Sequence, residues 1–321
     1  MFLSRRIQMH NPLSGAGART AATFLATLAF LLFPEVNGHS DVVAEGPPQT
    51  NALSAIHYAV DHPNALPIGM NDFGCKPSAA HPRPLILVNG TFGNMYMNWS
   101  MYSPQFRADG YCVFGLDYGY EPGSPPYWRQ VGRIGKSAEE LGSFVSRVRA
   151  ATGATQVDLV TYSQGGIVAL NYINQLGGAD EVGSLIGIAP PSHGISVYGI
   201  LPWIASNPTA SPAVNASLPA TIDVAAGSEF IERTAAGGLT RPNVRYVTVI
   251  SRTDSVVQPE EARLPEGPNV TNVSIQDICS NFYGDHSSYI YNEIVLRLVR
   301  NYLDPDTASP PICHLVLPGT N

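Results

Sequence analysis

A mostly parallel α/β sheet, flanked by helices on both faces, is the fold class this sequence predicts. Three observations lead there. Short runs of Leu, Ile and Val recur along residues 84–275, separated by stretches of helical periodicity. The first of them, Leu85-Ile86-Leu87-Val88, is continuously apolar, as a strand buried on both faces is. One run leads through Tyr162-Ser163-Gln164-Gly165-Gly166 straight into an apolar helical stretch, 167–176, with no loop between.

The elements follow in chain order. Residues 39–80 are mixed and rich in Pro, Gly, Ala and His, which reads as a surface arm with one short helix near 55–60. Strands are predicted at 84–89, 111–117, 157–161, 185–189 and 244–251, with 270–275 as a sixth. Ser137-Ala138-Glu139-Glu140 has the form of a capping box, and Leu141, Phe144, Val145 and Val148 follow at helical spacing. Residues 287–303 close the core as a helix with Ile290, Ile294 and Leu298 on one face. Strands alternating with helices predict a parallel sheet. Residues 190–241 break the rhythm with many Pro, Ala, Ser and Gly. They are predicted to be a cap insertion after the fourth core strand, whose apolar island holds Leu201, Trp203 and Ile204. Those side chains are too apolar to be left in water without use, so they are candidates for substrate binding.

The N-terminus reads as a targeting segment. Arg5, Arg6 and Arg19 precede an apolar stretch, 21–33, of signal-peptide length and too short to span a membrane. Val36-Asn37-Gly38 offers a cleavage site and Val42-Val43-Ala44 a second. The expected division is a signal peptide, 1–38, and one catalytic domain, 39–321, hence a secreted protein. The formal charge of −7, less the net +2 of the three arginines and Glu35, becomes −9 after cleavage. With no basic run, nucleic acid is excluded as a partner. Cys75, Cys112, Cys279 and Cys313 are an even set after a signal peptide. They predict two disulfides, for which spacing alone leaves three pairings open. No clustered His and Cys spacing suggests a metal site.

The chemistry centres on Ser163. A β-branched run, a one-residue turn and a helix present a serine at the sheet edge, and Gly165 allows the helix to pack close to the strand. Thr161 stands where that motif has its first glycine. A serine nucleophile needs a base, and the base needs a carboxylate. Asp254 follows the strand 244–251, with Glu260 and Glu261 as rivals further along. His286 sits in the loop before the last helix, and His193, after the fourth strand, is its competitor. An anion developing on the substrate needs N–H donors. Gln164 follows the serine, and Gly90-Thr91 follows the first strand, so Thr91 and Gln164 are the candidate oxyanion donors.

Leu87-Val88-Asn89-Gly90-Thr91-Phe92-Gly93, Thr161-Tyr162-Ser163-Gln164-Gly165-Gly166, Asp254 and Asp285-His286 together resemble the secreted class 2 triacylglycerol lipases of the α/β-hydrolase superfamily. More distantly they are similar to the fungal lipase B group, which also carries Thr before x-Ser-Gln-Gly and a Gly-Thr turn. The resemblance spans residues 70–315. It implies an α/β-hydrolase fold, a triad of Ser163, Asp254 and His286, oxyanion donors Thr91 and Gln164, and bridges Cys75–Cys112 and Cys279–Cys313. Asn89 is a departure, since many relatives have His before the glycine.

The expected protein is a secreted serine esterase or lipase that acts on acylglycerol-type esters through an acyl-enzyme. It is expected to need no cofactor, to work as a monomer, and to touch a lipid–water interface without inserting into a membrane. Two other readings use the same residues: a hydrolase of polymeric esters such as cutin or polyesters, and a secreted binding protein on this fold with an inactive site. The intact Ser163, Asp254 and His286 set speaks against the second.

Overall fold

The computed structural model describes residues 44–320, and the expected signal segment lies outside them. Helix α1 (Ala52–Asp61) begins at Asn51, whose side chain accepts from Ser54 N. Six apolar runs then become strands β1 (Leu85–Val88), β2 (Val113–Leu116), β3 (Val157–Tyr162), β4 (Val182–Ile188), β5 (Arg245–Ile250) and β6 (Val270–Ser274). They form one parallel sheet of order β2-β1-β3-β4-β5-β6. Every residue of β1, β2 and β3 is buried, including Asp158 and Thr161 of β3, and β1 is the unbroken apolar run that burial on both faces requires.

The two sides of β1 feed two apolar layers. Ile86 and Val88 join Phe114, Leu159, Leu141 and Ile167 in one layer, and Leu85 and Leu87 join Trp99, Val160, Ile186 and Val295 in the other. Between β1 and β2 lie two helices, α2 (Met95–Trp99) and α3 (Tyr102–Ala108). Helix α4 (Ile134–Thr152) and helix α5 (Gln164–Gln175) flank β3 in the chain, and α11 (Glu293–Leu303) closes the opposite face. The strand order reverses between β1 and β3. In open sheets of this kind ligands bind at the carboxyl ends of the strands at such a reversal. Gly90 and Ser163 both lie there.

Residues 190–241 hold four short helices, α6 (Ile200–Ser206), α7 (Ala210–Ser217), α8 (Pro219–Asp223) and α9 (Glu229–Ala235). A further short helix, α10 (Pro259–Ala262), follows β5. Phe230 and Ile231 of α9 are buried in the same layer as α4 and α5, and Asn171 of α5 donates to Thr234 Oγ1 at 2.8 Å. The rear of the insertion is therefore part of the core.

Two helix starts differ from the sequence expectation. Helix α4 begins three residues before Ser137, whose hydroxyl donates back to Arg133 O from inside the helix. The orphan N–H of Ile134 is satisfied by Asp223 Oδ2 at 2.9 Å, and the same carboxylate pairs with Arg133. A cap supplied from the end of α8 leaves no local sequence signal, so the Ser137 box misled. The closing helix is also shorter than 287–303. His286–Ser288 forms one 3₁₀ turn and the chain breaks before Asn292, which caps Glu293 onward through Ile294 N. Ile290 therefore lies outside the helix, though it remains buried.

Disulfides join Cys75 to Cys112 and Cys279 to Cys313, closing sequence separations of 37 and 34 residues. By chain entropy each contributes about 4 kcal/mol. Among the described residues no helix is long and apolar enough to cross a membrane.

Candidate active site

Ser163 occupies the single residue between β3 and α5, with φ 51° and ψ −126°. Left-handed backbone is uncommon for a residue with a Cβ, and here it turns the side chain away from the sheet. The turn survives because the helix seats close against β1. A Cβ at Gly165 would fall 2.5 Å from Val88 O and 2.7 Å from Asn89 O, both backbone atoms that cannot move aside. Thr161, in the place of the motif's first glycine, is fully buried beneath the turn.

The three groups chosen from the end of β3, the end of β5 and the loop before the last helix come together. Ser163 Oγ lies 2.8 Å from His286 Nε2, and His286 Nδ1 lies 2.8 Å from Asp254 Oδ2. With the Nδ1 proton assigned from its carboxylate partner, Nε2 is left as the acceptor for the serine hydroxyl. Asp254 is an Asx turn whose Oδ1 accepts from Val256 N at 2.8 Å and Val257 N at 2.9 Å. Its side chain has no exposed surface and that of His286 keeps 14%.

The rivals are occupied elsewhere. Glu261 accepts from Ser196 N and Gln258 N. Burial raises its pKa while those bonds act against the rise. His193 Nε2 donates to Arg263 O at 2.9 Å, and its backbone N–H goes to Glu261 O.

The His286 loop is held from several sides. Tyr162 stacks on the imidazole with ring centroids 5.2 Å apart, and its hydroxyl donates to His286 O at 2.7 Å. Burial, with the Asp254 charge next, raises the Tyr162 pKa so far that the hydroxyl stays protonated. Asp285 is pushed up by burial, but bonds from Ser287, Gly319 N and Ser288 outweigh that and lower it. A C-terminal strap completes the support: Phe282 pairs with Val316 as a parallel bridge, and Tyr283 N donates to Val316 O at 2.8 Å.

Thr91 and Gln164 meet across the turn, with Gln164 Nε2 donating to Thr91 Oγ1 at 3.0 Å. The Gln164 N–H is the first of α5, one of the donors a helix leaves without an intrahelical partner. Gly90 is required by closeness, since a Cβ there would lie 2.8 Å from the Tyr162 ring and 3.1 Å from Ser163 Cβ. Sequence reasoning missed the polar frame around this turn. Asn98 Oδ1 accepts from Gly90 N at 2.8 Å. Asn89 takes a bond from Trp99 Nε1 at 2.7 Å and donates to Asp117 Oδ1 at 3.0 Å. Burial raises Asp117 to about 6, with Arg129 and the donors Met95 N and Asn89 opposing the rise. Gln130, fully buried, stands at the centre of this frame. Single buried Asn and Gln residues scattered from 89 to 130 form no motif.

Of the residues chosen from the insertion, Leu201 and Ile204 turn inward and join the main apolar layer, whereas Trp203 is 48% exposed beside exposed Tyr198 and Ile200. Among the described residues no group of three or more His, Cys, Asp or Glu is placed to hold a metal ion.

Comparison with known proteins agrees with this architecture. Lipase B of Pseudozyma antarctica is 26% identical over 253 residues, covering 73% of this chain and 67% of that protein. The crystal structure of Aspergillus fumigatus lipase B superposes with a TM-score of 0.59 at 20% identity, over 92% of this chain and 72% of the other. A Bacillus licheniformis lipase in its mature form gives 0.52 at 18% identity, over 71% and 94%. These two likenesses establish the α/β-hydrolase fold. The model of the class 2 lipase family matches residues 82–285, most of the chain and every element from β1 to the loop bearing His286. This chain therefore belongs to the class 2 lipase family and is a carboxylic ester hydrolase.

Proposed function

We propose that the protein is a secreted serine esterase or lipase that hydrolyses acylglycerol-type esters through an acyl-enzyme on Ser163. The observation that carries this reading is the unbroken series Ser163 Oγ, His286, Asp254, with both links at 2.8 Å. Ser163 Oγ attacks the ester carbonyl carbon while its proton passes to His286 Nε2. The carbonyl oxygen becomes an oxyanion, held by the N–H groups of Thr91 and Gln164. Gln164 Nε2 already donates to the Thr91 hydroxyl, so the hydroxyl proton is free to serve as a third donor. Collapse expels the alcohol, which takes the proton from His286. Water then repeats the sequence and frees the acid. Asp254 keeps the imidazole oriented and stabilises its cationic form throughout.

In this reading residues 39–321 are one catalytic domain behind a signal segment, 1–38. Two disulfides favour an oxidising compartment. The mechanism uses no cofactor, and the domain works as a monomer. A p-nitrophenyl diethyl phosphate label tests it. One diethylphosphoryl group is expected on the peptide carrying Ser163, found by mass spectrometry, with loss of esterase activity in step. A label on another residue, or activity persisting after Ser163 is labelled, would overturn the assignment.

The exposed side of α6 is the part of the insertion that reads as an acyl-chain surface. Trp203 shows nearly half of its side-chain surface, with Tyr198 and Ile200 near it in sequence. Covering one such side chain with an acyl chain is worth about 1–3 kcal/mol. Trp203→Ala is expected to lower kcat/KM on p-nitrophenyl palmitate about tenfold more than on the acetate. An equal loss on both esters would make Trp203 a support of the fold.

A further inference from the structure

We propose that Gln130 is a positioning residue that aims the Thr91 half of the oxyanion pocket. The proposal rests on the reading of Ser163, Thr91 and Gln164 above and extends it to a residue that belongs to no motif.

Gln130 is fully buried and carries a left-handed φ of 58°. A residue with a Cβ keeps that conformation only where its surroundings over-determine it. They do so here. Gln130 N donates to Tyr118 O at 2.9 Å, Val131 N and Gly132 N both donate to Gly119 O, and Arg129 O accepts from Phe92 N at 3.0 Å. The segment 129–132 is thereby fixed between the end of β2 and the turn after β1.

From this seat Gln130 reaches Thr91 by two routes, its hydroxyl through the Gln164 side chain and its N–H through Gly90. Its backbone oxygen accepts from Gln164 Nε2 at 3.0 Å, the same amide nitrogen that donates to Thr91 Oγ1. Its side-chain amide, oriented by its neighbours, donates to Gly90 O at 2.6 Å and Gly93 O at 2.5 Å, and its Oε1 accepts from Asn89 Nδ2 at 3.2 Å. The opposite orientation would set an oxygen against three carbonyls.

The bond to Gly90 O decides the direction of the Thr91 donor. Gly90 C=O and Thr91 N–H belong to one peptide unit, planar and trans, so the two groups point in opposite directions. Pinning the oxygen towards Gln130 turns the N–H away from it. Close packing of Gly90 against Tyr162 and Ser163 keeps the turn beside the serine. Without the amide nitrogen the bond left on Gly90 O is the long one from Gly93 N at 3.4 Å, inside the same turn, and the peptide is freer to rotate its N–H out of line. An anion donor displaced by even an ångström loses most of its worth, because the hydrogen bond depends on direction as well as distance.

The test uses the full secreted protein and two variants. Gln130→Glu keeps the shape and replaces the donating nitrogen with an oxygen. Gln130→Gly keeps the left-handed backbone and removes the amide. Active sites are counted by end-point titration with p-nitrophenyl diethyl phosphate, and kcat and KM are measured per titrated site on p-nitrophenyl butyrate. Gln130→Glu is expected to lower kcat about 100-fold with KM within about threefold, as loss of one oxyanion donor does. Its deficit relative to the parent is expected to shrink as pH falls, since protonation returns a donor to that side chain. Gln130→Gly is expected to lower kcat at least tenfold, again at nearly constant KM. A full kcat per titrated site in both variants, with only Tm lowered, overturns the positioning role and leaves the Ser163 reading intact. A parent protein that does not titrate at Ser163 overturns that reading itself, before Gln130 is reached.

Discussion

Ser163→Ala is expected to lower kcat on p-nitrophenyl butyrate by about 10⁶-fold while the protein stays folded. The hydroxyl has one bonded partner in the structure, His286 Nε2, so its removal leaves no buried polar group stranded. Alanine retains the Cβ that the strained turn already accommodates, and the N–H of residue 163 keeps its bond to Ile188 O. The loss is therefore one of chemistry. Members of a nucleophile–base–acid set act as a unit, so deleting the nucleophile costs about as much as deleting all three. Circular dichroism and Tm report the fold, and single-turnover kinetics report the residue. Activity within tenfold of the parent would mean that another group attacks the ester.

His286→Ala is expected to cost about 10⁴- to 10⁶-fold in kcat, and His193→Ala less than tenfold. The two histidines are distinguished by what their rings face. His286 bridges Ser163 and Asp254, while His193 is turned to a backbone carbonyl at Arg263. His286→Ala should also lower Tm, because it takes the imidazole N–H away from the buried Asp254 carboxylate. Loss of a hydrogen bond to a charged group typically costs about 1.5–3 kcal/mol. The N–H groups of Val256 and Val257 remain on Asp254, so the low end of that range applies. The opposite ranking of the two variants in a rate assay would exchange their roles.

The parts of this molecule that were legible in its sequence share a cause. Strands buried on both faces are rich in Leu, Ile and Val, and β1 and β3 were found within a residue of their ends. Ser163, Asp254 and His286 were legible because the sheet's topology brings the end of β3, the end of β5 and the loop before the last helix to one edge. The chain had only to carry suitable side chains at those places. The illegible parts are those where a partner comes from far along the chain. Asp223 caps a helix that starts 89 residues before it, and the Ser137 box, though well formed, went unused. Gln130 and Asn98 act through backbone groups of Gly90 and Gly93, which have no side chains to announce the match. Helices α2 and α3, at residues 95–108, gave too short a periodic signal to be recognised.

The strap that pairs Val316 with Phe282 has a bearing on when the enzyme becomes competent during its own synthesis. The segment that presents His286 is braced by residues 313–319, through the Cys279–Cys313 bridge, the Val316 pairing and the Gly319 N–H on Asp285. Until that stretch has been made, Ser163 and Asp254 can already be in place, but the base between them lacks its brace. The last link is a cystine, which forms and persists where thiols are oxidised and not where glutathione keeps them reduced. The base is therefore the last of the three groups to be steadied.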